Sequence, residues 1–359
     1  MIMPMGKTFF ISATASSSLP VWTQFEDLVR YMTSQGYSLS KELPADYLIS
    51  MNYSREDYNS FIQHGGRSRN TALVLLEPQA VYPLQYKKRV LSKYSLILRP
   101  GHPAQYEDLG QFIGWPYEVN PNPLTPTRTK PSVKETVARN KSLRLFNIDN
   151  WVMRNEYITM INSNKVSAFD CENYSLRRKF AHSLDSKLFS LYGDLWNSTL
   201  RRRLKHRIEV LFFSLLQRQV PNLRNVYGNL LWRYPAAKGL ISDKHKILQN
   251  TKFNIVIEND PSYVSEKIFD SMINGCIPLY SGPKIPTELI PLNCYITLPS
   301  NPRLLLKALE SLKSAEIESI LTSINEFISS SKFIEIWERE AVFIRIGTAL
   351  SAHIERNHE

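Results

Sequence analysis

The chain has 359 residues, 43% of them hydrophobic, and 44 Lys and Arg stand against 33 Asp and Glu for a formal net charge of +11. That length fits about two domains, each with apolar residues enough for its own core, and the positive balance favours an anionic partner: a nucleotide sugar, a phospholipid surface or nucleic acid. The 3 cysteines, with no C-x-x-C pair, exclude a disulfide framework and a zinc-finger pattern, and the lack of any apolar run of about 18 residues excludes a membrane-spanning helix.

Thr8 to Ala13 reads as a strand, and Pro20 to Gln35 as an amphipathic helix with Trp22, Phe25, Leu28, Val29 and Met32 on one face and Gly36 beyond its end. Lys7 and the apolar residues after it loosely resemble a signal peptide, but the stretch is short and serves as a first strand. Asp46 to Asn52 is a second apolar run, followed by a polar helical segment from Arg55 to Gln63 that Gly65-Gly66 closes. Thr71 to Leu76 is the clearest buried strand of this half, and Tyr94 to Leu98 is the next. This alternation predicts a parallel sheet with helices on both faces.

Glu77-Pro78 ends the Thr71–Leu76 strand. A carboxylate at a strand's carboxyl end is placed to act in the crevice, where partial burial raises its pKa toward the working pH. Position alone fits an ordinary turn glutamate better. Arg99 to Leu145 is rich in proline, asparagine and glycine and reads as irregular structure closing the first domain, with a linker running to about Asn150.

Tyr157 to Ile161 opens the second half as a strand. Tyr174 to Leu184 is a basic helical stretch in which the spacing of Arg177, Phe180 and Leu184 puts the arginine one helical step from a buried face. Leu195 to Gly239 holds nine Lys and Arg and a single acid, Glu209, interleaved with apolar residues. Basic residues beside an apolar helical face suit an anionic membrane; they equally suit a helical hairpin whose arginines are merely solvated. No nucleic-acid reader pattern is evident.

The centre of the chain is Lys252 to Pro286. Phe253 to Ile257 predicts a buried parallel strand, and Glu258-Asn259-Asp260-Pro261 breaks it. Asp260 is placed to cap a helix with Pro261 in its first position, and Val264, Ile268 and Met272 form the buried face before Gly275 stops it. Ile277 to Tyr280 is the next strand, completing a β-α-β unit. Tyr263, Glu266 and Lys267 then fall at the carboxyl end of the strand, where open α/β sheets bind ligands and a helix N-terminus favours phosphate. On spacing alone, Glu266 and Lys267 fit a solvated surface pair just as well. Cys294 to Thr297 reads as a strand, and Pro302–Leu312, Glu316–Ile328 and Ser331–Ile354 as amphipathic helices, the last crossing back to brace the first domain.

The runs F-x-I-x-x-E-N, Y-V-S-E-K-I-F-D and G-C-I-P-L-Y-S-G-P between Phe253 and Pro283 resemble the donor-binding motif of the α-1,3/1,4-fucosyltransferases, glycosyltransferase family 10. The segment between Asn259 and Tyr263 is short where some members carry a longer loop. The resemblance implies an α/β fold of two Rossmann-like domains facing across a cleft (GT-B architecture). Residues 1–150 would form the acceptor-side domain, 151–335 the donor-binding domain with the basic insertion 195–239, and 336–359 a helix packed back on the first domain. It implies an inverting transferase that moves fucose from GDP-fucose to a glycan hydroxyl in surface polysaccharide or lipopolysaccharide synthesis.

The E-P-x-x-x-x-P pattern resembles the family's strand-end glutamate motif and makes Glu77 the general base. The donor residues implied are Arg177 and Lys267 on the diphosphate, Glu266 and Tyr263 on ribose or sugar hydroxyls, and Asn259 shaping the pocket. No D-x-D string occurs, so no metal or other cofactor is expected. Members of the secretory pathway carry an anchor and stem, whereas this chain looks like the soluble bacterial type. That makes it cytoplasmic, with peripheral contact at the inner face of the membrane through 195–239 and a lipid-linked glycan among its acceptors. Transfer of another GDP-sugar, and a catalytically silent membrane-docking protein of the same fold, are the alternatives.

Overall fold

The computed structural model describes residues 7–13, 21–100, 110–119, 131–170, 172–216 and 221–357. Pro20, Cys171 and residues 101–109 and 120–130 of the proline-rich stretch lie outside them. The chain divides into two compact units, one of Met1–Pro116 with Glu335–Glu359 and one of Tyr117–Ile334. The division falls at Pro116, ahead of the boundary at 150 expected from composition.

The first unit is built on a parallel six-stranded sheet in the order β2-β1-β3-β4-β5-β6. Its strands are β1 (Thr8–Ala13), β2 (Ser38–Ser40), β3 (Tyr47–Met51), β4 (Thr71–Val74), β5 (Leu96–Arg99) and β6 (Gln111–Phe112). Helices α1 (Glu26–Ser34), α2 (Arg55–Gln63) and the short α3 (Lys88–Leu91) lie between them in sequence. Side-chain alternation along the strands supplies two cores. Ile49 of β3 and Ala72 and Val74 of β4 pack on one face with Leu28 and Met32 of α1, while Leu48 and Leu73 pack on the other with Phe61 of α2.

β4 is shorter than its apolar run because the amides of Leu76 and Glu77 turn away to Asn52 Oδ1. β5 begins at Leu96 rather than Tyr94 because Tyr94 is drawn into the second core, where its hydroxyl meets Ser50 Oγ at 3.0 Å.

The second unit carries another parallel six-stranded sheet, in the order β12-β11-β10-β7-β8-β9. In chain order it runs α4 (Val133–Ser142), α5 (Ile148–Val152), β7 (Glu156–Ile161), α6 (Tyr174–Ser183), β8 (Phe189–Tyr192), α7 (Leu200–Leu216), α8 (Leu223–Tyr227) and β9 (Ala237–Gly239). It continues through α9 (Lys244–Gln249), β10 (Thr251–Ile257), α10 (Glu266–Ile273), β11 (Ile277–Ser281), β12 (Ile296–Thr297), α11 (Pro302–Glu310) and α12 (Ser314–Ser329). The chain moves from β7 outward through β8 and β9, then returns to place β10 on the other side of β7. Strand order therefore reverses between β7 and β10, and the crevice at their carboxyl ends is the expected ligand position. β10 and β11 pair in register, Phe253 opposite Ile277 and Ile257 opposite Ser281.

Three local readings change. α4, inside a stretch expected to be irregular, is started by a capping box between Ser132 and Glu135. The end of the 195–239 stretch is not helical: β9 forms the sheet edge. The final helix is broken at Glu338 (φ −64°, ψ 138°) into α13 (Ser331–Trp337) and α14 (Arg339–Arg356). α14 belongs to the first unit, where Val342, Phe343, Ile346 and Leu350 complete the core against α1. Gly347 permits that approach, since a Cβ there would lie 2.2 Å from the ring of Tyr31.

Candidate functional site: the carboxyl ends of β10 and β4

The loop after β10 departs from the expected helix start. Asp260 does not cap α10; its Oδ1 accepts from the amide and hydroxyl of Ser262, at 2.9 and 2.5 Å, in a tight local turn. Residues 261–264 stay outside the helix, which begins at Glu266 with Ser265 as N-cap. Glu266 and Lys267 thereby occupy the first two helical positions. Ser265 gives no side-chain cap to the helix, because its hydroxyl donates to Glu258 at 2.6 Å. The first-turn N–H groups of α10 thus lack the usual N-cap acceptor and point where the helix dipole favours an anion.

Glu258 was not singled out by sequence, yet it organises the corner. It has no solvent exposure, accepts from the amide and hydroxyl of Ser265 at 2.8 and 2.6 Å, and faces Lys267 Nζ at 3.6 Å. Burial raises its pKa, against the opposing pull of Lys267 and the Ser265 hydrogen bonds. Gly282, at the end of β11, makes room for it: a Cβ there would lie 2.3 Å from Tyr280 Oη and 2.8 Å from Glu258 Cγ.

Lys267 has partners besides Glu258. Its ammonium donates to Ser265 Oγ at 2.7 Å and also lies 3.8 Å from Glu266. For Glu266, burial pushes the pKa up, but Lys267, Lys244 and Arg177 outweigh it and hold the carboxyl below its usual range. Lys244, on α9, pairs with Asp270 of α10 at 2.6 Å, both side chains largely buried. Lys244 and Asp270 escape sequence reading because α9 and α10 meet only in the folded sheet.

Arg177 reaches this corner from α6. Nε donates to the Ile257 carbonyl at 3.0 Å, Nη2 donates to the same carbonyl, and Nη2 also donates to Asn259 Oδ1 at 2.8 Å. The residue is 3% exposed, its guanidinium 4.9 Å from the Tyr174 ring, and burial lowers its pKa. It clamps the end of β10 and fixes Asn259, whose own carbonyl accepts from the Asn173 amide at 2.9 Å. Arg178 points elsewhere, donating to the carbonyls of Lys165 and Asn225. Tyr263 is buried in the segment before α10, not in the helix's first turn.

Glu77 stands in the first unit, just past the carboxyl end of β4. Its main chain is held on both sides: the amide donates to Asn52 Oδ1 at 2.9 Å, and the carbonyl accepts from Gln85 Nε2 and Tyr86 Oη at 2.8 and 2.9 Å. Asn52 makes this bridge from a left-handed conformation (φ 64°), which asparagine tolerates better than most residues. Five of the six residues singled out by sequence, Arg177, Asn259, Tyr263, Glu266 and Lys267, thus belong to the second unit and Glu77 to the first. Among the described residues, no group of three or more His, Cys, Asp or Glu side chains is arranged to hold a metal ion.

Several solved glycosyltransferases share the fold over nearly the whole chain. An α1,3-fucosyltransferase crystallised with GDP-fucose matches with a TM-score of 0.55 and 13% identity, over 98% of this chain and 91% of that one. HepE of Anabaena, in complex with UDP and glucose, matches at 0.54 and 10% identity, over 96% and 100%. A glycosyltransferase of Rickettsia africae matches at 0.52 and 11% identity, over 97% and 99%. The chain has the GT-B fold. No family model matches the sequence. No curated protein matches it either. At these identities the likeness is one of fold, carried by the two parallel sheets.

Proposed function

We propose that the protein is an inverting glycosyltransferase of the α-1,3/1,4-fucosyltransferase type, taking fucose from GDP-fucose to a hydroxyl of a glycan. The observation that carries this reading is the uncapped N-terminus of α10, with Lys267 in its first turn, at the carboxyl end of β10 beside the reversal of strand order. Helix N–H groups and an ammonium together suit a diphosphate. The neighbours' complexes with GDP-fucose and with UDP and glucose support a sugar-nucleotide donor.

In this reading Lys267 and the α10 amides take the diphosphate, and Glu266 takes ribose or sugar hydroxyls. Asn259 shapes the pocket and Tyr263 supports the loop. Arg177 acts from within, holding Asn259 and lending positive charge to the corner. Glu77 accepts the acceptor's proton as the hydroxyl oxygen attacks the anomeric carbon; the bond to the phosphate oxygen breaks, and the nucleoside diphosphate leaves with its electron pair. A general base in that role contributes about a hundred- to ten-thousand-fold. Transfer of another nucleotide-linked sugar is the second reading, favoured by the UDP bound to HepE.

The test is calorimetric titration with GDP-fucose, GDP-mannose, UDP-glucose and free GDP, with donor hydrolysis followed in the absence of acceptor. Selective GDP-fucose binding, with hydrolysis that falls in Lys267→Ala, supports the assignment. Preference for another donor gives the second reading, and no binding to any of the four removes the donor-site proposal.

A further inference from the structure

The α7–α8 segment of the second unit displays large apolar side chains that are exposed among the described residues. On α7, Ile208, Phe212, Leu215 and Leu216 are 53%, 62%, 61% and 65% exposed, and Leu223 at the start of α8 is 57% exposed. A soluble surface seldom gathers such large apolar groups together. At about 100° per residue, Ile208, Phe212, Leu215 and Leu216 fall on one side of α7. Arg201 and Lys205, both exposed, continue that side toward its N-terminus.

The opposite side is the packed one. Arg207 and Ser214 are buried, Arg207 Nη1 donates to the Val226 carbonyl at 2.6 Å, and Arg203 Nη1 donates to the Trp232 carbonyl at 2.8 Å. α7 is therefore fixed to α8 and the loop after it by these arginines, while a face basic at one end and apolar at the other looks outward. About 16 Å of helix separates Arg201 from Phe212, at a rise of about 1.5 Å per residue.

We infer that this face docks the protein on an anionic lipid bilayer, with α7 tilted so that Phe212, Leu215 and Leu216 enter the acyl boundary while Arg201 and Lys205 meet the phosphate headgroups. Charge selects the occupant. Glu209, the only acid on α7, lies 3.9 Å from Lys205 across an exposed pair, and Asp194 faces Arg202 at 3.0 Å; against these two acids stand Arg201, Arg202, Arg203, Lys205 and Arg207, which leaves the helix positive. Such a surface repels a second copy of this basic chain and attracts an anionic one. Basic stems also lie along the interface with their charges in the headgroup layer, which suits the spacing seen here.

The experiment is co-sedimentation with vesicles of phosphatidylcholine containing about one-third phosphatidylglycerol, set against pure phosphatidylcholine. The expected result is binding to the anionic vesicles, at least about tenfold weaker on the neutral ones and in high salt. Phe212→Glu with Leu215→Glu should abolish it. Arg201→Ser with Lys205→Ser should remove the preference for anionic lipid. All four side chains point to solvent, so these variants keep the fold, checked by an unchanged melting temperature. No vesicle binding, or binding unchanged in both variants, overturns the inference. So does a dimer in sedimentation velocity that Phe212→Glu dissolves, which would make the face an interface between copies. The readout needs no sugar nucleotide, so it stands or falls separately from the proposed transferase activity.

Discussion

The two corners that carry the candidate chemistry are fixed by different forces. At Glu77 in the first unit the main chain is held by neutral hydrogen bonds, its amide donating to Asn52 and its carbonyl accepting from Gln85 and Tyr86. At the end of β10 in the second unit, Glu258, Lys267, Glu266, Lys244 and Asp270 form a set of neighbouring charges, several of them buried. The first kind of corner keeps its shape independently of pH and salt. The second balances large opposing terms, so that removing one partner strands another in a medium that solvates it poorly.

The widest separation between the corners is expected from Glu77→Gln. It should lower transfer by about a hundred- to ten-thousand-fold while leaving donor affinity in the second unit unchanged, measured by turnover and by calorimetry on one preparation. Turnover at the wild-type rate would remove Glu77 as the base.

Lys267→Ala should act on binding and stability at once. It weakens donor affinity and leaves the buried Glu258 without its cation, at a cost of about 3 kcal/mol in chemical denaturation. Adding Glu258→Gln should restore part of the stability but none of the affinity. Equal loss of stability in the double variant would mean that the pair is not what holds the corner.

Asn52→Ala tests the neutral corner. It removes the acceptor for two amides and should cost about 1–2 kcal/mol and lower turnover, with donor affinity intact. Unchanged turnover would show that the bridge does not position Glu77.

The smallest effect is a pH dependence confined to the charged corner. Burial raises the Glu258 pKa above the ordinary 4.5, so its contribution to stability is fully present below 4.5 and is lost as pH rises through the raised value. The stability of the wild type relative to Glu258→Gln should therefore decline on going from acid toward neutral pH, read from denaturation midpoints. A difference that stays flat would place the pKa at its ordinary value.

Much of the fold was legible because it rests on short-range patterns. The apolar runs at Thr8–Ala13, Asp46–Asn52 and Phe253–Ile257 hold the strands Thr8–Ala13, Tyr47–Met51 and Thr251–Ile257, and α2 spans Arg55–Gln63 as its polar pattern says it should, with Ser54 as the cap the structure adds. The start of α10 differs from the expected one because Asp260 has two local options. Its side chain can cap a helix or close a turn on Ser262, and the choice depends on where Glu258 draws Ser265. α14 illustrates the same limit at longer range: its apolar positions announce a helix, but only the fit of Gly347 against Tyr31 says what it packs on.

The sequence by itself determined two alternating α/β halves and the grouping of Asn259, Tyr263, Glu266 and Lys267 in one β-α-β unit, because neighbours in the chain stay neighbours in such a unit. Only the tertiary structure decided that Glu258 is buried beneath Lys267, that Lys244 pairs with Asp270, and that Arg177 clamps Ile257 and Asn259. Those contacts join residues on different elements, and which charge meets which is fixed by sheet order and burial rather than by any spacing along the chain.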